Sequence, residues 1–92
     1  MDNQAAKPEA IGRRIILLRK ALGYESATAF AAYLGVSPQK LWNWESGNAR
    51  PDVSGGLNIC NRTGVTLDWL FRDMGTTLPK NMFDLLYPPK AD

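Results

Sequence analysis

Residues 37–47, Ser37-Pro38-Gln39-Lys40-Leu41-Trp42-Asn43-Trp44-Glu45-Ser46-Gly47, hold both the start and the stop of a helix. Ser37 can accept a hydrogen bond from the unpaired N–H groups of a first turn. Pro38 suits the first helical position, which needs no donor, and Gly47 suits the left-handed residue past the end. The stretch therefore predicts a short, firmly bounded helix. At about 100° per residue, Leu41, Trp44 and Glu45 share one side, while Gln39, Trp42, Asn43 and Ser46 share the other with Lys40 at the flank. Two amides beside an aromatic ring and a lysine replace the mixed charges of an ordinary solvated helix. Such a surface can hydrogen-bond the edges of bases.

The chain has 92 residues, which is enough for one small domain with one core. Its 45% hydrophobic and 22% charged residues are globular in balance. No apolar run approaches the roughly 18 to 20 residues of a membrane span, so no membrane association is expected. Met1–Glu9 lacks a basic segment followed by an apolar stretch and does not resemble a secretory signal, which makes a cytoplasmic location the expectation. A single cysteine, Cys60, excludes an internal disulfide, and the absence of histidine removes the commonest general base and metal ligand. The nine acids are scattered outside any recognisable catalytic motif. No enzyme, no metal and no cofactor are expected. Net charge is +2, but residues 1–50 carry seven Lys/Arg against four acids and residues 51–92 carry four against five. The basic half contains the Ser37–Gly47 stretch, a gradient compatible with a nucleic-acid partner.

Residues 1–8 are small and polar and predict a mobile arm. Pro8-Glu9 favours a helix start, and Ile11, Ile15, Leu18 and Leu22 form a narrow stripe down a first helix ending at Gly23. Arg13, Arg14 and Lys20 fall outside the stripe, as solvating or phosphate-facing cations. Ser26 can cap a second helix through Leu34, closed by Gly35, with Phe30, Ala31 and Leu34 inward and small residues that permit close approach. Asp52 can cap a fourth helix to Thr63 with Val53, Ile59, Cys60 and Thr63 inward. Gly56 lies at the centre of that face, so either a bulky neighbour packs there or the helix starts late. Gly64-Val65-Thr66 leads into the apolar segment Leu67–Phe71. Residues 81–87 are a candidate sixth helix, whose Met82, Phe83, Leu85 and Leu86 either make a subunit contact or fold back onto the fifth segment.

The order and spacing of these features resemble the Cro/repressor-type helix-turn-helix family, the phage repressors and bacterial regulators related to the xenobiotic response element group. The carriers are Ile15-xx-Leu18-Arg19, Phe30-Ala31-xx-Leu34-Gly35-Val36-Ser37, Trp44-Glu45-x-Gly47, Arg50-Pro51 and Gly64-Val65-Thr66-Leu67-Asp68-Trp69-Leu70, together spanning about Ile11 to Phe71. The resemblance implies an all-α, five-helix lambda-repressor-like helix-turn-helix domain over residues 9–74. A C-terminal extension over 75–92 would supply the candidate sixth helix and a dimerisation segment. It also implies a transcriptional regulator whose third helix, about 38–46, reads the major groove of double-stranded DNA as part of a homodimer. The alternative on the same scaffold is an adaptor or antitoxin-like module binding protein through Trp42, Trp69 and the C-terminal apolar stretch.

Carried over by position, Pro38, Gln39 and Asn43 match base-reading residues of the family, with Trp42 beside them. Lys40, Arg50, Ser26, Thr28 and Ser46 become candidates for the DNA backbone, and Arg19 and Glu45 match a structural ion pair. Three positions depart from the family. Ala27 stands where a glutamine is common, leaving Ser26 and Thr28 to substitute. Gly56 stands at a core leucine, with Trp44 or Leu57 as candidates to fill the space. Trp42 occupies an outward position usually small or polar, where it would meet thymine methyls and sugars or a protein partner.

Overall fold

A computed structural model of the chain describes residues 4–90. Their regular structure is entirely helical: α1 (Pro8–Ala21), α2 (Ala27–Leu34), α3 (Pro38–Glu45), α4 (Val53–Thr63), α5 (Leu67–Arg72) and α6 (Lys80–Leu86), with 3-10 turns at Gln4–Ala6 and Gly75–Thr77. Four helices begin on a side chain that accepts from an otherwise unpaired backbone N–H. Ser26 Oγ accepts from Ala29 N at 3.3 Å, Ser37 Oγ from Lys40 N at 3.1 Å, Asp52 Oδ1 from Gly55 N at 2.7 Å and Thr66 Oγ1 from Trp69 N at 3.0 Å. Each cap is worth about 1 kcal/mol, a large contribution for helices this short. Gly35 at φ 74° and Gly47 at φ 81° turn the chain sharply after α2 and α3, in a conformation a Cβ would oppose.

The core forms where α1 meets the other helices. Ile11, Ile15 and Leu18 of α1 are fully buried among Phe30 and Leu34 of α2, Leu41 and Trp44 of α3, Ile59 of α4, and Trp69 and Leu70 of α5. α1 and the end of α3 approach each other closely. A Cβ on Gly12 would lie 2.6 Å from the Trp44 carbonyl oxygen and 2.7 Å from that of Glu45, so only glycine lets these two backbones touch. On α4, Gly55 and Gly56 leave room for rings. A Cβ on Gly55 would stand 2.9 Å from the Trp44 indole, and one on Gly56 would stand 2.8 Å from the Phe71 ring. The bulky neighbour at Gly56 is therefore Phe71, and α4 starts at Val53 without delay.

Several sequence expectations change. Val53 is 74% exposed and Leu57 also faces outward, so neither fills the space at Gly56, because the buried side of α4 centres on Gly55, Gly56 and Ile59. Arg14 is buried and donates from Nε to the Leu70 carbonyl at 2.9 Å and from a terminal guanidinium nitrogen to the Ala5 carbonyl. Burial lowers its pKa, with Asp73 acting in the opposite direction. At the N-terminal end of the described residues, Gln4–Ala6 turn back on α1, where Arg14 holds Ala5 and Arg50 donates to the Ala6 carbonyl at 3.2 Å. Residues 1–3 of the expected arm lie outside the described residues. In the C-terminal stretch Met82 and Leu86 are buried, with α6 packed on α1, whereas Phe83 and Leu85 remain exposed. Trp69 Nε1 donates to the Tyr87 hydroxyl at 2.8 Å and ties the extension to α5.

Gly12→Ala should destabilise the domain by roughly 1 to 3 kcal/mol, since the neighbours of the added methyl are backbone carbonyls that no rotamer change can move. Urea unfolding followed by circular dichroism measures this. An unchanged midpoint would mean that α1 and α3 separate without cost.

Candidate nucleic-acid interface

α3 is eight residues long and divides cleanly into a seated side and an open side. Leu41 and Trp44 are buried, and Glu45 reaches back to α1. Arg19 Nε donates to Glu45 Oε2 at 2.9 Å, in a pair whose side chains are each about 10% exposed. The same guanidinium donates from NH1 to the Tyr24 carbonyl at 3.0 Å and the Glu25 carbonyl at 2.7 Å. One cation thus fixes α1, the turn into α2 and the last turn of α3. Pairs of this kind are costly to break, because removing one partner leaves the other charge desolvated.

The open side carries the remaining candidates. Pro38, Gln39, Lys40 and Ser46 are exposed, Trp42 is 54% exposed and Asn43 is half-buried. Gln39 and Asn43 are brought together: Gln39 Nε2 donates to Asn43 Oδ1 at 3.3 Å across one helical turn. Lys40 Nζ stands 6.0 Å from the centre of the Trp44 ring, at the outer reach of a cation–π contact. Ser46 Oγ donates to the Asn43 carbonyl at 3.4 Å, and that carbonyl also accepts from Asn48 N at 3.0 Å and Ala49 N at 3.2 Å, closing the helix end.

The backbone candidates are dispersed. Ser26 Oγ is engaged as the cap of α2, and Thr28 lies exposed in the first turn of that helix. Arg50 is exposed beyond α3 and shares a shallow depression with Lys7 and Pro8. That neighbourhood of Lys7 and Arg50 is a basic spot the sequence does not reveal, because it depends on the N-terminal turn folding back. A sequence signal for the amide pair does exist: Gln39 and Asn43 are spaced i, i+4.

A second surface is apolar. Arg50, Pro51, Asp52, Val53, Leu67 and Phe71 line a groove between the loop after α3 and the α4–α5 corner. Among the described residues, no three His, Cys, Asp or Glu side chains cluster as a metal site, and no helix is long and apolar enough to cross a membrane. Burial raises the Cys60 thiol above its ordinary pKa, which leaves it less nucleophilic at neutral pH. Comparisons with protein-family models, curated proteins and solved structures give no match for this chain.

Holding and surface residues should separate by stability. Glu45→Ala should cost about 3 kcal/mol by stranding Arg19, whereas Gln39→Ala on the open face should stay within about 0.5 kcal/mol of the parent. Thermal and urea melts of the two variants check this, and equal losses would contradict the division of α3 into a seated and an open side.

Proposed function

We propose that the chain is a sequence-specific, double-stranded-DNA-binding transcriptional regulator of bacterial or phage repressor type, built on a lambda-repressor-like helix-turn-helix domain over residues 9–74. α3 is the reading helix and enters the major groove, while α2, joined to it by Gly35-Val36-Ser37, crosses the backbone. The observation that carries this reading is the open face of α3, where Gln39 and Asn43 stand hydrogen-bonded to each other on a helix fixed from behind by Leu41, Trp44 and Glu45. Amides are the side chains that pair bidentately with adenine N6 and N7. Pro38 and Trp42 flank them against apolar edges such as thymine methyls. Lys40, Ser46, Arg50, Ser26 and Thr28 supply phosphate contacts, and Lys7 beside Arg50 adds a cation next to that loop. An eight-residue helix reads few base pairs, so the chain acts as a homodimer on a two-fold site.

A second reading keeps the scaffold and binds protein, as an adaptor or antitoxin-like module would. It is favoured by the exposure of Trp42 and by the apolar groove of Pro51, Val53, Leu67 and Phe71. The exposed Phe83 and Leu85 of α6 offer a further protein contact.

Selection of bound duplexes from a random-sequence pool distinguishes the readings. The DNA function predicts enrichment of a two-fold site with half-sites about one helical turn apart. Failure to enrich any sequence at low salt would contradict it. On an enriched duplex, Arg50→Ala should weaken binding to all sequences and lower the slope of log K against log salt by about 1, and an unaltered slope would remove Arg50 from the phosphate contacts.

A further inference from the structure

Arg14 is a cation buried without a counterion. It is 8% exposed, and among the described residues it forms no ion pair. Its Nε donates to the Leu70 carbonyl and its Nη2 to the Ala5 carbonyl, which leaves Nη1 with no hydrogen bond. Every side-chain nitrogen and oxygen sealed from solvent among the described residues has a partner, so Nη1 must reach solvent. The opening is a cleft of about 560 Å³ that Arg14 lines with Arg13, Ala10, Leu17, Asp73 and Tyr87. Clefts of this size hold small molecules. Burial lowers the Arg14 pKa, opposed by Asp73 and Tyr87 and reinforced by Arg13. Such a cation is costly until an anion reaches it. The Tyr87 hydroxyl accepts from Trp69 Nε1 at 2.8 Å, so its own proton remains to be donated.

We propose that this cleft binds a small aliphatic monocarboxylate, with the carboxylate on Arg14 Nη1, Arg13 and the Tyr87 hydroxyl and the hydrocarbon against Leu17 and Ala10. The charge of the walls selects the class. Arg13 and Arg14 against Asp73 leave one net positive charge, which a single carboxylate neutralises. A guanidinium also gives a carboxylate strong, directed N–H donors. A dianion would bring its second charge against Asp73, which makes Asp73 the specificity-determining residue. Asp73 follows α5 at φ 59°, a left-handed conformation that aspartate and asparagine tolerate, so its charge can be removed without disturbing the backbone. None of the residues lining the cleft belongs to α3, and the site does not depend on the DNA-reading function.

The test titrates the full chain at neutral pH with isovalerate, with its uncharged isostere isovaleramide and with the dianion succinate, followed by two-dimensional nuclear magnetic resonance. Isovalerate should shift the Arg14 Nε–H, the Ala5 amide and the Trp69 indole N–H, the last through its bond to Tyr87. It should bind about 5-fold or more tightly than isovaleramide, the margin of a charged over a neutral acceptor. Arg13 and Asp73 are exposed, so Arg13→Gln and Asp73→Asn test the charges in folded protein. Arg13→Gln should weaken isovalerate by about 2- to 5-fold, and Asp73→Asn should improve succinate relative to isovalerate by a similar factor. Shifts spread over Lys7 and Arg50 with none at Arg14 and Trp69 would overturn the proposal, as would equal binding of isovalerate and isovaleramide. Succinate binding as tightly as isovalerate, with Asp73→Asn leaving the ratio unchanged, would overturn the selection of a monocarboxylate.

Discussion

The arrangement depends first on how α1 grips the end of α3. Gly12 and Arg19 are seven residues apart and so lie on one face of α1. Gly12 admits the Trp44 and Glu45 carbonyls to within backbone contact, and Arg19 takes the Glu45 carboxylate at 2.9 Å. The glycine contact sets how near the helices come, and the ion pair sets how α3 is turned. A nearly buried ion pair contributes little net stability compared with well-packed apolar residues, but it strongly opposes alternative arrangements once its partners are desolvated. Its extra bonds to the Tyr24 and Glu25 carbonyls extend the same constraint to the turn leading into α2. The angle between α2 and α3 therefore depends on a side chain from neither helix.

This seating leaves the other side of α3 free of structural duty. Leu41 and Trp44 fill the core, and the Trp44 ring continues over Gly55, so α3 is held by α1 and α4 together. Gln39, Lys40, Trp42 and Asn43 lie on a helix that Leu41, Trp44 and Glu45 fix from behind. Sites placed on such rigid elements hold geometry better than sites on loops. Under the proposed function, this is how an eight-residue helix positions two amides well enough to tell one base pair from another.

Much of this was legible in the residues, and the failures share a cause. Helix starts and stops could be read because Ser26, Ser37, Asp52 and Thr66 each satisfy a backbone donor within three residues, a purely local requirement. The open face of α3 was legible for the same reason, since a short bounded helix leaves little freedom in which side chains share a face. Arg14 lies outside the narrow apolar stripe of α1 and is nonetheless buried. At 100° per residue Arg14 and Arg19 stand about 60° and about 80° to either side of Ile11, on the two margins where a long side chain can bury its stem and spend its donors on carbonyls. On α4 apolar character points to Val53, whereas the inward side is defined by Gly55 and Gly56, whose missing side chains admit Trp44 and Phe71. The N-terminal turn, and with it the nearness of Lys7 to Arg50, rests on contacts about forty positions apart that no local pattern encodes.

Under the proposed function, the open face of α3 is the surface that meets DNA. It is tested most directly by side-chain and backbone amide shifts in a two-dimensional nuclear magnetic resonance titration with a selected duplex. The largest changes are expected at the side-chain amides of Gln39 and Asn43 and the indole of Trp42, with smaller ones at Thr28 and Arg50. Changes confined to the groove of Val53, Leu67 and Phe71 or to Phe83 and Leu85, with the Gln39 and Asn43 amides unmoved, would contradict it.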